Sequence, residues 1–249
     1  MAKISLIITT YNRPDALELV LNSLVKQKFT DFEVIIADDG STANTAKFIR
    51  QLSTPYLLKH VWQEDQGFRA AKARNLAVMV ANGDYLIFLD GDCIPRFDFI
   101  AKHWQLAELG YFVVGNRVLF TKKFTQQVIQ SWIPVWTWPI SKWLSAYLKG
   151  NINRCSPLLR LPFVRKHCRQ TWKGVKTCNL GIWKKDFEQI NGFDEKFQGW
   201  GHEDADLAIR LLQIGIRRKN GRFAVPVLHL WHNEEQLNLD NWQRLKQRL

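Results

Sequence analysis

From residue 109 through 185 the chain contains no aspartate or glutamate, and those 77 residues hold 14 lysines and arginines. The other 172 residues hold 21 basic and 23 acidic side chains. The net charge of +12 is therefore a regional feature and needs a regional cause. No Gly-x-Gly-x-x-Gly and no Gly-x-x-x-x-Gly-Lys-Ser/Thr occurs. Both common glycine cradles for phosphate are thereby excluded, so a bound phosphate would need a metal ion and basic side chains. No run of 18 apolar residues exists, and nothing reads as a membrane-spanning helix. Lys3 precedes only the short run 4–8, so no secretory leader is expected. Cys93, Cys155, Cys168 and Cys178 form no Cys-x-x-Cys pair, which removes zinc and redox motifs and leaves free thiols in the cytoplasm as the expectation.

What is present is an alternation. Runs at 3–9, 33–37, 56–62 and 85–89 read as strands, and helical periods fall at 15–27, 44–51 and 68–80. In the first helix Leu17, Val20, Leu21, Leu24 and Val25 share one face. Strand and helix in turn at this spacing predict an α/β fold with a mostly parallel sheet and right-handed crossovers. The four strand ends carry Tyr11, then Asp38 and Asp39, then Glu64 and Asp65, then Asp90 and Asp92. Open α/β sheets bind ligands outside that edge. Asp90 and Asp92 repel each other unless a cation sits between them, and a divalent ion carrying phosphates suits two carboxylates. A turn with both aspartates in water is the other reading of an isolated Asp-x-Asp. Arg74 and Lys72, on the preceding helix, could help hold phosphates. Further on, 97–109 reads as a helix, 111–120 as one strand, 196–203 as a flexible glycine-bearing loop around Trp200 and 204–214 as a helix. A last strand at 223–230 ends near His229 and His232, and a terminal helix falls within 233–249.

The acid-free region also holds Trp132, Trp136, Trp138 and Trp143, with Pro134 and Pro139 breaking its first half. Arg160, Arg165, Lys166, Arg169, Lys173 and Lys176 extend its basic character. It can be a cap whose tryptophans form a small core. It can be an interfacial segment on an anionic membrane, with Trp at headgroup depth and Lys or Arg facing lipid charge. A nucleic-acid surface is the weakest reading, since the aromatic cluster is compact and lacks the interleaved pattern of a single-strand binder, and no nucleic-acid partner is expected.

Four segments in order resemble the family 2 glycosyltransferases, which have the GT-A fold. They are Ile7-Ile8-Thr9-Thr10-Tyr11-Asn12-Arg13-Pro14, Ile35-Ile36-Ala37-Asp38-Asp39-Gly40-Ser41, Gly67 with Ala73-Arg74-Asn75, and Asp90-Gly91-Asp92. The second half is similar to bacterial chondroitin-polymerase domains and β1,4-galactosyltransferases through Asn179-Leu180-Gly181, Asn191-Gly192-Phe193-Asp194 and Gly199-Trp200-Gly201-His202-Glu203-Asp204-Ala205-Asp206. The expectation is one GT-A unit over 1–249: a nucleotide-sugar half at 1–109, a basic Trp-rich insertion or lid at 110–176, and an acceptor and catalytic half at 177–249.

The resemblance implies roles. Asp39, with Asp38 beside it, would read the uracil of a UDP-sugar, and Asp65 would help hold the nucleoside. Asp90 would contact the ribose or the metal side, and Asp92 would be a direct ligand of Mn2+ (or Mg2+). His229 or His232 would complete the metal site, and the sequence does not choose between them. Thr9, Tyr11, Arg13, Arg74 and Gly91 fall with these on the substrate side. Transfer with inversion needs one carboxylate base away from the metal, for which Glu203 and Asp204 are candidates. The resemblance assigns the base to Asp204, with Glu203 bonding the acceptor or sugar. Trp200 could stack on an acceptor sugar. Donor choice among UDP-GalNAc, UDP-GlcNAc, UDP-Gal and UDP-GlcA is open, as is the acceptor, an oligosaccharide or glycolipid such as a lipopolysaccharide core, O-antigen or capsule chain. The implied location is cytoplasmic, peripheral at the inner face of the membrane. The rival readings are a sugar-phosphate nucleotidyltransferase, which would want a glycine-rich basic loop where Tyr11-Asn12-Arg13 stands, and a non-catalytic glycan- or membrane-binding protein.

Overall fold

The computed structural model describes residues 3–159, 165–233 and 235–249. Strands β1 (Ile4–Thr10), β2 (Phe32–Asp38), β3 (Leu57–Trp62) and β4 (Tyr85–Asp90) run parallel in the spatial order β3-β2-β1-β4. Ile4, Leu6, Ile7 and Ile8 are fully buried, because both faces of β1 are covered by protein. That explains a continuous apolar run in place of alternation. Helices α1 (Pro14–Leu24), α2 (Ala43–Gln51) and α3 (Ala70–Met79) lie between successive strands, and Pro14 takes the first turn of α1, where a missing N–H costs nothing.

The sequence reading missed a second sheet. The chain continues through β5 (Cys93–Pro95), α4 (Phe99–Leu106), β6 (Tyr111–Val114), β7 (Asn116–Leu119), α5 (Lys122–Gln130) and α6 (Ile140–Leu148). It then forms β8 (Asn179–Trp183), α7 (Lys184–Gln189), α8 (Glu203–Gln213), β9 (Arg217–Asn220), β10 (Pro226–His229) and α9 (Leu239–Lys246). The large sheet has the order β3-β2-β1-β4-β8-β6-β9, with β8 antiparallel to both neighbours. The small sheet is β5-β10-β7.

The expected strand at 111–120 is two strands in two sheets, and Gly115 is where the chain changes sheet. A Cβ there would lie 2.1 Å from Asn179 Nδ2, so no larger residue fits against that side chain. Pro95 sits in β5, an edge strand where its missing N–H is tolerated. In that antiparallel register His229 pairs with Cys93. This pairing brings the end of β10 to the Asp90-Gly91-Asp92 turn, and Leu230 N donates to the Asp92 carbonyl at 3.0 Å.

The tryptophan stretch forms a cap on the small sheet. Trp143 is fully buried and Trp136 nearly so, packed in the same core cluster as Phe120 and Phe124. Phe120 N donates to His229 O at 2.9 Å, and Trp231 N donates to Thr125 Oγ1 at 2.8 Å. Arg160 lies outside the described residues. Among the described residues no helix is long and apolar enough to cross a membrane.

Candidate active site

The parallel register sets one row of strand ends: Thr10 pairs with Asp38, Asp38 with Trp62, and Thr9 with Asp90. The residues just past this row line a cleft. Its loops are fixed by short-range geometry. Gly40, at φ +91°, packs against the next loop, where a Cβ would lie 2.5 Å from Asp65 Cα. Only glycine combines that conformation with that approach. Gly91 N donates to Thr9 O at 2.7 Å, and a Cβ on Gly91 would lie 3.0 Å from the same oxygen. Gly91 thus holds the Asp90–Asp92 turn close to β1.

At the end of β2 the two aspartates differ. Asp38 is buried and turned back into the protein, accepting from Ser41 N at 2.8 Å and facing His60 Nε2 at 3.0 Å. Asp39 accepts from Gln63 Nε2 at 2.5 Å and from Arg69 N at 2.8 Å, and burial raises its pKa. Gln63 Oε1 is buried beside it without a partner. Asp65 is exposed at the rim, where Tyr11 Oη donates to it at 2.9 Å. Arg13 is also at the rim, paired with Asp15 at 3.0 Å.

Arg74 ties the two ends of the cleft together. Its guanidinium is 4% exposed and donates to Thr9 Oγ1 at 3.0 Å, Asp90 Oδ1 at 3.2 Å and Glu203 Oε1 at 3.5 Å. Burial disfavours its charge, but Asp90, Asp204 and Glu203 outweigh burial and raise its pKa. Asp90 is pushed up to about 6, first by desolvation and then, against Arg74, by Asp92 and Asp204. A third of its side-chain surface stays exposed.

Three side chains converge on the other side of the turn. His229 Nε2 is 3.6 Å from Asp92 Oδ1, and His232 Nε2 is 3.4 Å from Asp92 Oδ2. Their potential ligand atoms all lie within 4.8 Å of one another. Desolvation lowers the His229 pKa to about 4, so its ring is neutral at pH 7 and has a lone pair to offer. His232 Nδ1 is 2.7 Å from the Asn233 carbonyl. A carbonyl only accepts, so that nitrogen carries the proton and Nε2 is left to face Asp92. Asp92 Oδ1 is buried with no hydrogen-bond partner. A carboxylate oxygen with nothing to accept, between two imidazoles, fits a divalent cation. The sequence left the choice between the two histidines open, and the structure brings both to Asp92. A second group, Asp90 with Cys93 and Cys178, suits a hard cation less: burial and the neighbouring thiol hold the Cys93 pKa well up, keeping it protonated.

Across the cleft, α8 begins at Glu203. Its preceding residue His202 has the left-handed φ of 74°. Glu203 is buried, facing Arg74, and desolvation together with Asp204 raises its pKa to about 7. Asp204 is half-buried and accepts from the Thr177 hydroxyl. Asp206, the third acid of this turn, is fully buried in ion pairs with Arg210 and Arg248, which gives it a structural task. Trp200 is half-buried, with Lys176 Nζ 5.8 Å from its ring centroid. The loop expected to be flexible is braced: Asn241 Nδ2 donates to Gln198 O and Gly201 O at 3.0 Å, and Gly199 N donates to Phe68 O at 2.9 Å. Gln63, Thr177 and Arg117 were not singled out in the sequence, Lys176 was read only as part of the basic region, and none of the four belongs to a short motif. Arg117 on β7 was missed although its charge acts on both Asp90 and His229.

The Glu203 shift has a measurable consequence. A carboxyl whose pKa rises from 4.5 to about 7 on folding binds its proton more tightly in the folded state. Stability should therefore fall as pH rises from about 4.5 through about 7, and the loss persists above that. In metal-free protein, Glu203→Gln is expected to be more stable than wild type at pH 8 by on the order of 1–3 kcal/mol, with little difference at pH 4.5. Denaturant melts at the two pH values check this, and an equal difference at both would contradict it.

A largely parallel sheet with an acidic C-terminal edge, a carboxylate–histidine cluster and a small second sheet have the architecture of the GT-A fold. The chain belongs to glycosyl transferase family 2, whose family model matches residues 5–165. A model described as the N-terminal domain of galactosyltransferase matches residues 160–232. The validoxylamine A glucosyltransferase of Streptomyces hygroscopicus subsp. jinggangensis is 31% identical over 225 residues, covering 86% of this chain and 52% of that protein. The chondroitin synthase of Escherichia coli is 29% identical over 233 residues, covering 85% of this chain and 32% of that protein. The structure of GalNAc-T7 with UDP, GalNAc and Mn2+ superposes with a TM-score of 0.68 at 15% identity, covering 99% of this chain and 48% of that one. The chain thus spans about half, or less, of the length of these relatives.

Proposed function

We propose that the cleft moves a sugar from a UDP-sugar to a hydroxyl of a bacterial surface glycan or glycolipid, with inversion at the anomeric carbon and with Mn2+ (or Mg2+) bound. The donor is one of UDP-GalNAc, UDP-GlcNAc, UDP-Gal and UDP-GlcA, and the acceptor is a lipopolysaccharide core, O-antigen or capsule chain. The single observation that carries the reading is the Arg74 hub, which joins Thr9 and Asp90 on the donor side to Glu203 on the acceptor side. Asp39, Asp65 and Tyr11 hold the uridine. Asp92, His229 and His232 would hold the cation, which when bound supplies positive charge to the departing diphosphate. The UDP and Mn2+ in the GalNAc-T7 structure support that choice of ligands.

The chain's own residues do the rest. Asp204 accepts the proton of the acceptor hydroxyl as the oxygen attacks, and the Thr177 hydroxyl orients the carboxylate. Glu203 holds the acceptor or sugar. Trp200 stacks on the acceptor and helps keep water out. No covalent intermediate forms, so one base suffices. The protein works in the cytoplasm, peripheral at the inner face of the membrane.

A donor screen tests this without knowledge of the acceptor. Each nucleotide sugar is incubated with the protein and Mn2+, and slow release of free UDP is scored. Release from one donor, abolished by EDTA, is expected. Release of pyrophosphate from a sugar phosphate and UTP would point to a nucleotidyltransferase instead.

A further inference from the structure

Cys93 and Cys178 lie far apart in the sequence, so no ligand spacing marks them, yet the fold brings both to Asp90. Leu89 pairs with Asn179 in the antiparallel register of β4 and β8, which places Asp90 beside Cys178 at the end of that pairing. Cys93 opens β5, the strand that leaves the Asp90-Gly91-Asp92 turn. One oxygen and two sulfurs, from three separate segments, thereby lie within 4.8 Å of one another. Around a tetrahedral ion, two thiolate sulfurs and a carboxylate oxygen are separated by about 3.6–3.8 Å, so side-chain rotations closing the group by about 1 Å complete such a site. Neither cysteine is in a disulfide, and their exposures are only 0% and 4%. Asp90 keeps a third of its side-chain surface exposed, so an ion would enter past its carboxylate.

We propose that Asp90, Cys93 and Cys178 form a second metal site, for a thiophilic divalent ion such as Zn2+ or Cd2+, and that filling it inhibits the enzyme. The donor atoms separate it from the first site. Asp92 offers oxygen, and His229 and His232 offer nitrogen, a set that suits Mn2+, whereas two sulfurs select a softer ion. Charge balance also favours it. Binding sets a dication among two thiolates and one carboxylate, leaving a single net negative charge, and the two thiol protons pass to the buffer. Arg117, whose charge acts on Cys178, Cys93 and Asp90, offsets that negative charge. Arg74 donates to Asp90 Oδ1 at 3.2 Å, which leaves the other carboxylate oxygen for the ion. The inhibition rests on the proposed transfer reaction, since an ion on Asp90 withdraws that carboxylate from the donor side of the cleft.

The test adds Cd2+ to the protein with Mn2+ present and reads the ultraviolet sulfur-to-cadmium charge-transfer band. Wild type is expected to show the band, saturating at one ion per chain. C93A/C178A should lose the band and bind Cd2+ at least ~100-fold more weakly. C155A/C168A should keep it, because those two thiols lie outside the group. No band in wild type, a band kept by C93A/C178A, or a band lost in C155A/C168A would overturn the site. Where the double variant fails to fold, C178A alone decides the question: it should bind Cd2+ at least ~10-fold more weakly, and unchanged binding would overturn the site. UDP release from the donor should fall in wild type as the band grows, and return when EDTA and then fresh Mn2+ are supplied. In C178A it should be at least ~10-fold less sensitive to Cd2+, and equal sensitivity would overturn the inhibition. A wild type that shows the band but releases no UDP from any donor, with or without Cd2+, would remove the transfer reaction and leave the metal site standing.

Discussion

Asp204→Asn is expected to lower the rate of sugar transfer by at least ~100-fold while UDP-sugar and Mn2+ affinities stay near wild type. The reason is positional. Asp204 is at the start of α8, bonded to Thr177, on the side proposed for the acceptor, while Thr9 and Asp90, on the side proposed for the donor, are held by Arg74. Asparagine keeps the size and can still accept from Thr177, but it cannot take a proton at neutral pH. The loss should therefore appear in the rate and not in donor binding, and calorimetry beside a rate assay separates the two. A near-normal rate, or loss of donor binding in a folded variant, would remove Asp204 from the role. Glu203 is the contrasting case. Its buried contact with Arg74 predicts that changing it disturbs both donor affinity and rate.

The second large effect concerns the cation. Asp92→Asn is expected to weaken Mn2+ binding by more than ~100-fold, because changes one shell further out already cost 10–100-fold in such sites. It removes the charge that both imidazoles face. His232→Ala should cost less, since Asp92 and the neutral His229 remain. EDTA should abolish activity, with Mn2+ restoring it best. Tight Mn2+ binding by Asp92→Asn, measured by calorimetry or electron paramagnetic resonance, would contradict the assignment.

Much of the parallel half was legible in the sequence, because a strand covered on both faces announces itself as an unbroken apolar run and its crossover helix as a 3.6-residue period. The row of acids at one sheet edge followed from the same reading. What was not legible depends on contacts between distant segments. Nothing local to 111–120 says that Gly115 must avoid Asn179, and that approach is what divides the strand between two sheets. Asp38 and Asp39 look alike in sequence, yet one turns to Ser41 and His60 and the other to Gln63 and Arg69. Asp206 follows Glu203 and Asp204 in one acidic turn, and nothing local to that turn says that Arg210 and Arg248 engage it. Asn238 and Asn241, from the polar tail, make rigid a loop whose glycines alone suggested flexibility.

In the proposed reaction one carboxylate base and no covalent nucleophile carry the transfer. The anomeric configuration of the product tests it most directly. With an α-linked UDP-sugar as donor, proton NMR of the isolated product should show a β-linkage. An α-linked product would mean net retention and would contradict the single-base account of this cleft.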